Sequence, residues 1–195
     1  MSKPTPFNPL DKLNLGKSVA EALLESARHP LGGIERFMGA GIYAIYYAGT
    51  FPAYEPIVGD DLPIYVGKAI PPGARQGGFG LGGDAGPALF NRLKEHADSI
   101  RASSNLDVGD FSCRYLVVED IWIPLGESLL IANFSPIWNT FLDGFGNHDP
   151  GKGRYNQMRS RWDAVHPGRL WAIKCQERPE TPEQILAELR SSLAT

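Results

Sequence analysis

Residues 41–49 read Gly-Ile-Tyr-Ala-Ile-Tyr-Tyr-Ala-Gly, and residues 64–68 read Ile-Tyr-Val-Gly-Lys. Both runs are rich in the aromatic and β-branched residues that suit buried strands. The segment between them, residues 52–63, is acidic and turn-like, so the two strands are predicted to pair as a hairpin. This pair decides the fold, because the later elements must pack around the sheet that it begins.

The chain after the hairpin alternates helical and strand patterns. Apolar residues recur at helical spacing after Pro87, residues 111–118 alternate as a strand does, and residues 124–134 read as a second core helix ending near Pro136. The order β, β, α, β, α predicts a small α/β sandwich.

The flanks are less regular. Residues 1–12 read as an irregular arm, and the apolar stripe of residues 17–28 predicts a short amphipathic helix. Residues 143–169 are polar and locally positive, residues 170–175 are predicted to form a strand, and residues 181–193 a terminal helix. We expect one compact domain with three parts: an N-terminal arm and helix (1–40, a candidate dimer contact), a core (41–142) and a basic segment with the C-terminal helix (143–195).

Composition excludes several classes of protein. The 195 residues carry a formal net charge of −3, so a nucleic-acid surface must be a local patch. No apolar run approaches the roughly 20 residues that cross a bilayer. Cys113 and Cys175 lie far apart without a CxxC pair, which favours reduced core thiols over zinc binding. We expect a cytoplasmic protein.

The strand pair resembles a known nuclease signature. Gly41-Ile42-Tyr43 and Tyr65-Val66-Gly67 are similar to the paired motif of the GIY-YIG nuclease superfamily. Three residues of the types expected by that pattern follow in order: Arg92, Glu127 and Asn139. The resemblance implies an α+β fold, with a small, mainly antiparallel sheet flanked by helices and with N- and C-terminal extensions.

Spacing within the superfamily looks closest to the type II restriction endonucleases. His96, one turn after Arg92, is similar to the histidine of members that cut a GC-rich palindrome, although an exposed histidine on a helix surface is also common. The resemblance implies a homodimeric enzyme of a prokaryotic restriction-modification system that cuts double-stranded DNA in the cytoplasm. Two alternatives stay open: a structure- or damage-specific nuclease, and a DNA-binding relative that has lost the chemistry.

Phosphodiester hydrolysis needs an aligned water, a proton acceptor and positive charge at the phosphate. Glu127 is the candidate ligand for one Mg²⁺ or Mn²⁺ ion, unless it only offsets a helix dipole near Pro124. Tyr43 would take the proton of the water, but a phenol of pKa ~10 is poorly suited to this at neutral pH without nearby cations. Lys68, Arg92 and His96 are the candidate cations, either by favouring the phenolate or by relaying the proton.

Three further residues have less certain roles. Tyr65 either orients the water, binds a phosphate or simply packs. Lys68 is interpreted as a phosphate contact rather than a solvated strand end. Asn139 is expected to order the site through hydrogen bonds rather than to touch the metal.

The DNA-reading residues are inferred from composition alone. A glycine-rich loop at residues 71–86 can approach a DNA backbone closely, and the polar segment after residue 143 offers side chains that read bases. An ordinary solvated loop is the alternative for both. His29, His148 and His166 do not fall at zinc spacing and are expected on the surface or in loops. The candidate DNA contacts are Arg75, Gln76, Asn147, His148, Arg154, Asn156, Gln157 and Arg159.

Another nuclease scaffold is disfavoured. Many restriction enzymes carry Asp or Glu two positions before a catalytic lysine. None of the seven lysines here has an acidic residue at that position.

Overall fold

A computed structural model describes residues 8, 10–59, 61–71 and 85–193. The predicted core order β, β, α, β, α is confirmed, and the α+β class with it. The core elements are β2 (Gly41–Tyr47), β3 (Tyr65–Ala69), α2 (Ala88–Ala102), β4 (Phe111–Val117) and α3 (Ile123–Phe134). Around them lie α1 (Lys12–Glu25), β1 (His29–Pro30), α4 (Ile137–Thr140), α5 (Arg161–Val165) and α6 (Pro182–Leu193).

The sheet has the order β1-β4-β2-β3, and every neighbouring pair of strands is antiparallel. The predicted hairpin is present as the β2–β3 pair, with Tyr43 directly opposite Gly67. All seven residues of the central strand β2 are buried, because the sheet is covered on both faces. This explains why the sequence of β2 is continuously apolar instead of alternating.

Each face of β2 belongs to a different core. Tyr43, Ile45 and Tyr47 pack with α2 and with C-terminal residues, including Trp162 of α5. The alternate residues, Ile42, Ala44 and Tyr46, pack with apolar residues of α1 and α3. The C-terminal elements therefore belong to the same hydrophobic core as one face of β2.

Helix α1 begins and ends earlier than the predicted range of 17–28. The Asp11 side chain caps it by accepting a hydrogen bond from the Leu13 amide, and Ser26 ends it in an extended conformation. The helix packs closely on α3 at Gly16, where a Cβ would lie 2.1 Å from Leu129 Cδ1. The apolar stripe identified this helix correctly but did not reveal its capped start.

One prediction for the C-terminal part is wrong. Residues 170–175 do not form a strand: Ala172–Lys174 is a turn of 3₁₀ helix, and Leu170 and Ile173 are exposed. His166, expected on the surface or in a loop, lies in the bend after α5, but it is fully buried and hydrogen-bonds to Tyr54 and to Asn105 Oδ1. Within the described residues, no helix combines the length and apolarity needed to cross a membrane.

Candidate active site

Five of the predicted site residues line one cavity of about 420 Å³ at the edge of the sheet: Tyr43, Tyr65, Lys68, Arg92 and Glu127. They come from β2, β3, α2 and α3, which are far apart in the chain. The sheet and its two flanking helices bring together the residues whose order suggested a nuclease.

Gly67 explains how Tyr43 reaches this cavity from a central strand. The two residues are direct partners across the β2–β3 pair, and their side-chain positions lie on the same face of the sheet. A Cβ at Gly67 would lie only 2.3 Å from Tyr43 Oη and 2.6 Å from Cζ. The hydroxyl end of the Tyr43 ring therefore lies over Gly67, in the space that a larger side chain would fill.

Tyr43 and His96 form a buried hydrogen-bonded pair, with Oη and Nε2 2.6 Å apart. His96 is only 1% exposed and stacks on Phe145, with ring centroids 4.5 Å apart. His96 is therefore not the exposed residue on a helix surface that was the alternative interpretation, but part of the buried core. Its position gives Tyr43 a partner that can accept a proton.

Burial keeps both members of this pair neutral. It raises the pKa of Tyr43 well above that of a free phenol; the neighbouring Tyr65 adds to the rise, and Arg92 opposes it. Burial also lowers the pKa of His96 well below its usual value, helped by the positive charge of Arg92. The expected stabilisation of a phenolate by nearby cations is therefore outweighed by burial. The geometry instead offers the proton-relay alternative.

Arg92 is held at the cavity by three contacts. Its Nη2 donates to the Gly146 carbonyl at 2.7 Å, and its Nη1 lies 3.0 Å from Glu95 Oε2 and 2.5 Å from His148 Nε2. His148, predicted as a DNA contact, therefore lines the candidate active site. Glu95 and Asn91 also line it and were not identified from the sequence. Glu95 is three residues after Arg92 and four after Asn91, and this helical spacing was the available signal.

Tyr65 has both a packing contact and a position in the lining of the cavity. Its ring meets Phe145 edge to face with centroids 5.0 Å apart, yet it also lines the cavity. A Cβ at Gly146 would lie 2.6 Å from Tyr65 Oη, so this glycine leaves room for the hydroxyl. Burial raises the pKa of Tyr65, which leaves it a hydrogen-bond donor at neutral pH.

Glu127 and Lys68 also line the cavity and form an ion pair, with Oε2 and Nζ 2.6 Å apart. Glu127 is 18% exposed and Lys68 39%, so both can exchange partners with a ligand. Among the described residues two carboxylates line the cavity, and Glu95 already pairs with Arg92. A carboxylate such as Glu127 in an open polar cavity fits Mg²⁺, which usually keeps several waters and takes oxygen ligands from substrate phosphates. Glu127 is the residue that would hold such an ion. The Lys68 ammonium group lies beside its carboxylate.

Asn139 does not line the cavity but braces the strand that does. Its side chain accepts a hydrogen bond from the Val66 amide and donates one to the Val66 carbonyl, both at 2.8 Å. This side-chain amide therefore pairs with β3 as a neighbouring strand would. The arrangement is consistent with the expected ordering role.

Comparison with known protein families agrees with this geometry. Residues 35–193 match the sequence model of the Eco29kI GIY-YIG domain. The chain belongs to the GIY-YIG nuclease family. Comparison with individual curated proteins gave no match. Family membership supports a restriction-type endonuclease activity on DNA. The match continues past residue 142, so the family domain includes C-terminal elements that the sequence motif did not cover.

Several arginines of this C-terminal part of the GIY-YIG domain have structural partners. Arg169 is buried and pairs with Asp163 at 2.7 Å, and it also donates to the carbonyls of Gly144 and Phe145. Arg161 pairs with glutamates 180 and 188. The positive composition of residues 143–169 therefore overstates the charge available to DNA.

The remaining candidate DNA contacts differ in availability. Arg159 is half-buried and donates to the carbonyls of Ala172 and Ile173. Arg75 and Gln76 lie outside the residues that the structure describes. The exposed candidates are Asn147, His148, Arg154, Asn156 and Gln157.

Proposed function

We propose that the protein is a type II restriction endonuclease that hydrolyses both strands of a short palindromic DNA site. The observation that carries the proposal is the meeting of a proton-accepting pair and an ion pair at one cavity. Tyr43, which hydrogen-bonds to His96, lines the cavity together with Arg92 and the Glu127–Lys68 ion pair.

Each side chain has a step it can perform. Arg92 binds a non-bridging phosphate oxygen, and its fork suits two parallel hydrogen bonds once DNA displaces Glu95 or His148. Lys68 and Tyr65 lie where they can orient the phosphate and the attacking water. A Mg²⁺ ion held by Glu127, when bound, supplies positive charge to the crowded phosphate.

The proton of the attacking water leaves through Tyr43. As the water oxygen bonds to phosphorus and the bond to the sugar oxygen breaks, Tyr43 Oη takes the proton and passes its own to His96 Nε2, and the leaving sugar oxygen takes a proton from solvent. His96 is neutral before this transfer because burial lowers its pKa. The negative phosphate that arrives beside Arg92 offsets the repulsion that a charged imidazole would otherwise meet.

A palindromic site calls for two active sites, so we propose a C₂ homodimer. Leu10 and Leu13 at the start of α1 are exposed, which supports the N-terminal segment as a dimer contact. The histidine resemblance supports a GC-rich target. Sedimentation at two salt concentrations measures the oligomeric state, and a Leu13→Asp variant that is monomeric identifies the contact; a wild-type monomer contradicts the dimer.

The test is cleavage of a large mixed-sequence DNA by the purified full chain with Mg²⁺ or with EDTA. Tyr43→Phe and Glu127→Ala are the inactivating variants. Tyr115→Phe is the matched control, because Tyr115 is the other cross-strand neighbour of Tyr43 but does not line the cavity. Discrete Mg²⁺-dependent fragments that both variants lose, and the control keeps, support the proposal.

Two outcomes overturn it. Nicking that depends on DNA structure or damage indicates a repair-type nuclease. DNA that is bound but left intact at every metal concentration indicates a relative without catalytic activity.

A further inference from the structure

A second cavity, of about 380 Å³, lies at the far end of β2 from the candidate active site. It is bordered by Arg28, Tyr46, Arg114 and Asp61, together with Tyr47, Ala48 and Gly59. Tyr43, which lines the candidate active site, is three residues from Tyr46, or roughly 10 Å of extended chain, and the two side chains lie on opposite faces of β2. This cavity plays no part in the chemistry proposed above.

Two guanidinium groups converge on it. Arg28 Cζ lies 3.9 Å above the centre of the Tyr46 ring, and Arg114 Cζ lies 5.9 Å from the same centre. One carboxylate, Asp61, pairs with both arginines, and Arg114 also donates to the Ser26 carbonyl. The three charged groups leave one net positive charge beside an aromatic platform.

The hydrogen-bond donors at this cavity outnumber their acceptors. Tyr46 is 2% exposed, and among the described residues neither its buried hydroxyl nor the buried Nε of the neighbouring Arg114 has a hydrogen-bond partner at ordinary geometry. Buried donors of this kind are normally satisfied, and leaving them unpaired is costly. Burial, and next the Asp61 carboxylate, raise the pKa of Tyr46, so its hydroxyl carries a proton that it can donate. An acceptor with several oxygens would satisfy these unpaired donors.

Asp61 is the weakest partner in the set. Its side chain is 61% exposed, whereas Arg114 is 18% exposed and stays anchored to the Ser26 carbonyl. Asp61 offers two oxygens, whereas a phosphate offers more and can contact both arginines and the Tyr46 hydroxyl at once. Asp61 can move into solvent when such a group arrives.

We propose that this cavity binds a phosphate group, which displaces Asp61 from between Arg28 and Arg114. The phosphate belongs either to the backbone of bound DNA away from the cleaved bond or to a small phosphorylated molecule. In both cases Arg28 and Arg114 supply the charge, and Tyr46 takes the remaining oxygen.

The first experiment uses inorganic phosphate and the full chain without DNA. The protein carries Arg92→Gln, so that the candidate active site cannot supply the signal. Phosphate binding, followed by ³¹P NMR and thermal melting, is expected to saturate, to weaken at least tenfold in Arg28→Gln and to weaken in Tyr46→Phe. Asp61→Asn is expected to bind phosphate more tightly, because the competing carboxylate is gone.

Asp61→Asn separates binding from structure. If the Arg28–Asp61–Arg114 cluster only stabilises the fold, then Asp61→Asn lowers the melting temperature and does not strengthen phosphate binding. Arg101→Gln is the matched control, since Arg101 forms another exposed arginine–aspartate pair, with Asp98. Phosphate affinity that is equal in the parent protein, Arg28→Gln and Asp61→Asn overturns the proposal.

The second experiment distinguishes the two sources of phosphate. DNA binding in EDTA is measured against salt for the wild type and for Arg28→Gln. Loss of one phosphate contact lowers the slope of log K against log salt by about 0.9 per chain. A lower slope assigns the site to the DNA backbone, whereas an unchanged slope with intact phosphate binding assigns it to a small phosphorylated ligand.

Discussion

Replacing Gly67 with alanine tests the placement of Tyr43 over β3. The added Cβ would lie 2.3 Å from Tyr43 Oη, 2.6 Å from Tyr43 Cζ and 3.0 Å from Tyr65 Cε1. Ordinary contacts of a Cβ begin near 3.4 Å, so the phenol must withdraw by about 1 Å. The 2.6 Å hydrogen bond to His96 does not tolerate a shift of this size.

The expected loss of activity exceeds the loss of stability. A misplacement of about 1 Å at a reacting group can lower the rate about 10²-fold. Overpacking in a core costs about 1–3 kcal/mol, or roughly 2–12 °C in melting temperature for a chain of this length. Gly67→Ala should therefore fold, bind DNA and cleave it about a hundred times more slowly.

The assay is single-turnover cleavage with saturating enzyme, together with thermal melting and DNA binding in EDTA. Gly153→Ala is the control, because a Cβ there meets no atom within 4 Å. The double variant with Tyr43→Phe should be little slower than Tyr43→Phe alone, since both changes act on one group. A folded Gly67→Ala protein that cleaves within about threefold of the wild-type rate refutes the reasoning.

Three further predictions follow from other contacts. Asn139→Ala removes both hydrogen bonds to Val66 and should lower the free energy of unfolding in urea by about 1–3 kcal/mol. Glu127→Gln should abolish Mg²⁺-dependent cleavage, while losing the pair with Lys68 changes the free energy of unfolding by less than about 1 kcal/mol. Burial lowers the pKa of His166 to about 3, so the unfolded chain binds more protons than the folded one from about pH 6.5 down to about pH 3. Stability should fall across that interval as the pH drops, with a contribution from His166 approaching about 1.4 kcal/mol per pH unit in thermal or urea unfolding.

Each of these has a control and an opposing result. Asn156→Ala removes an exposed asparagine, and Asn139→Ala must destabilise more than it does. Glu21→Gln removes an exposed lysine–glutamate pair on α1, and cleavage should survive it. His166→Gln should flatten the fall in stability; an unchanged slope shows that other groups cause it.

The core of the fold was predictable because its signals are local. Periodicity and proline positions marked the order of strands and helices from residue 41 to 134, and each element buries the face that its pattern indicated. The C-terminal part was harder to predict, because residues 170–175 are apolar without being a strand. In this segment the carbonyls of Ala172 and Ile173 accept hydrogen bonds from the Arg159 side chain. Such a contact leaves no mark on the local sequence pattern.

The sequence by itself indicated several of the chemical groups at the site, since the paired GIY-YIG motif, Arg92 and Glu127 can be identified from type and order alone, whereas Asn91 and Glu95 were not identified. Only the tertiary structure decided their protonation and their partners. Burial of Tyr43 raises its pKa by more than the neighbouring Arg92 lowers it, so desolvation outweighs the expected influence of nearby cations on the phenol. Desolvation depends on every element packed around a group, and no spacing between residues in the chain encodes that sum.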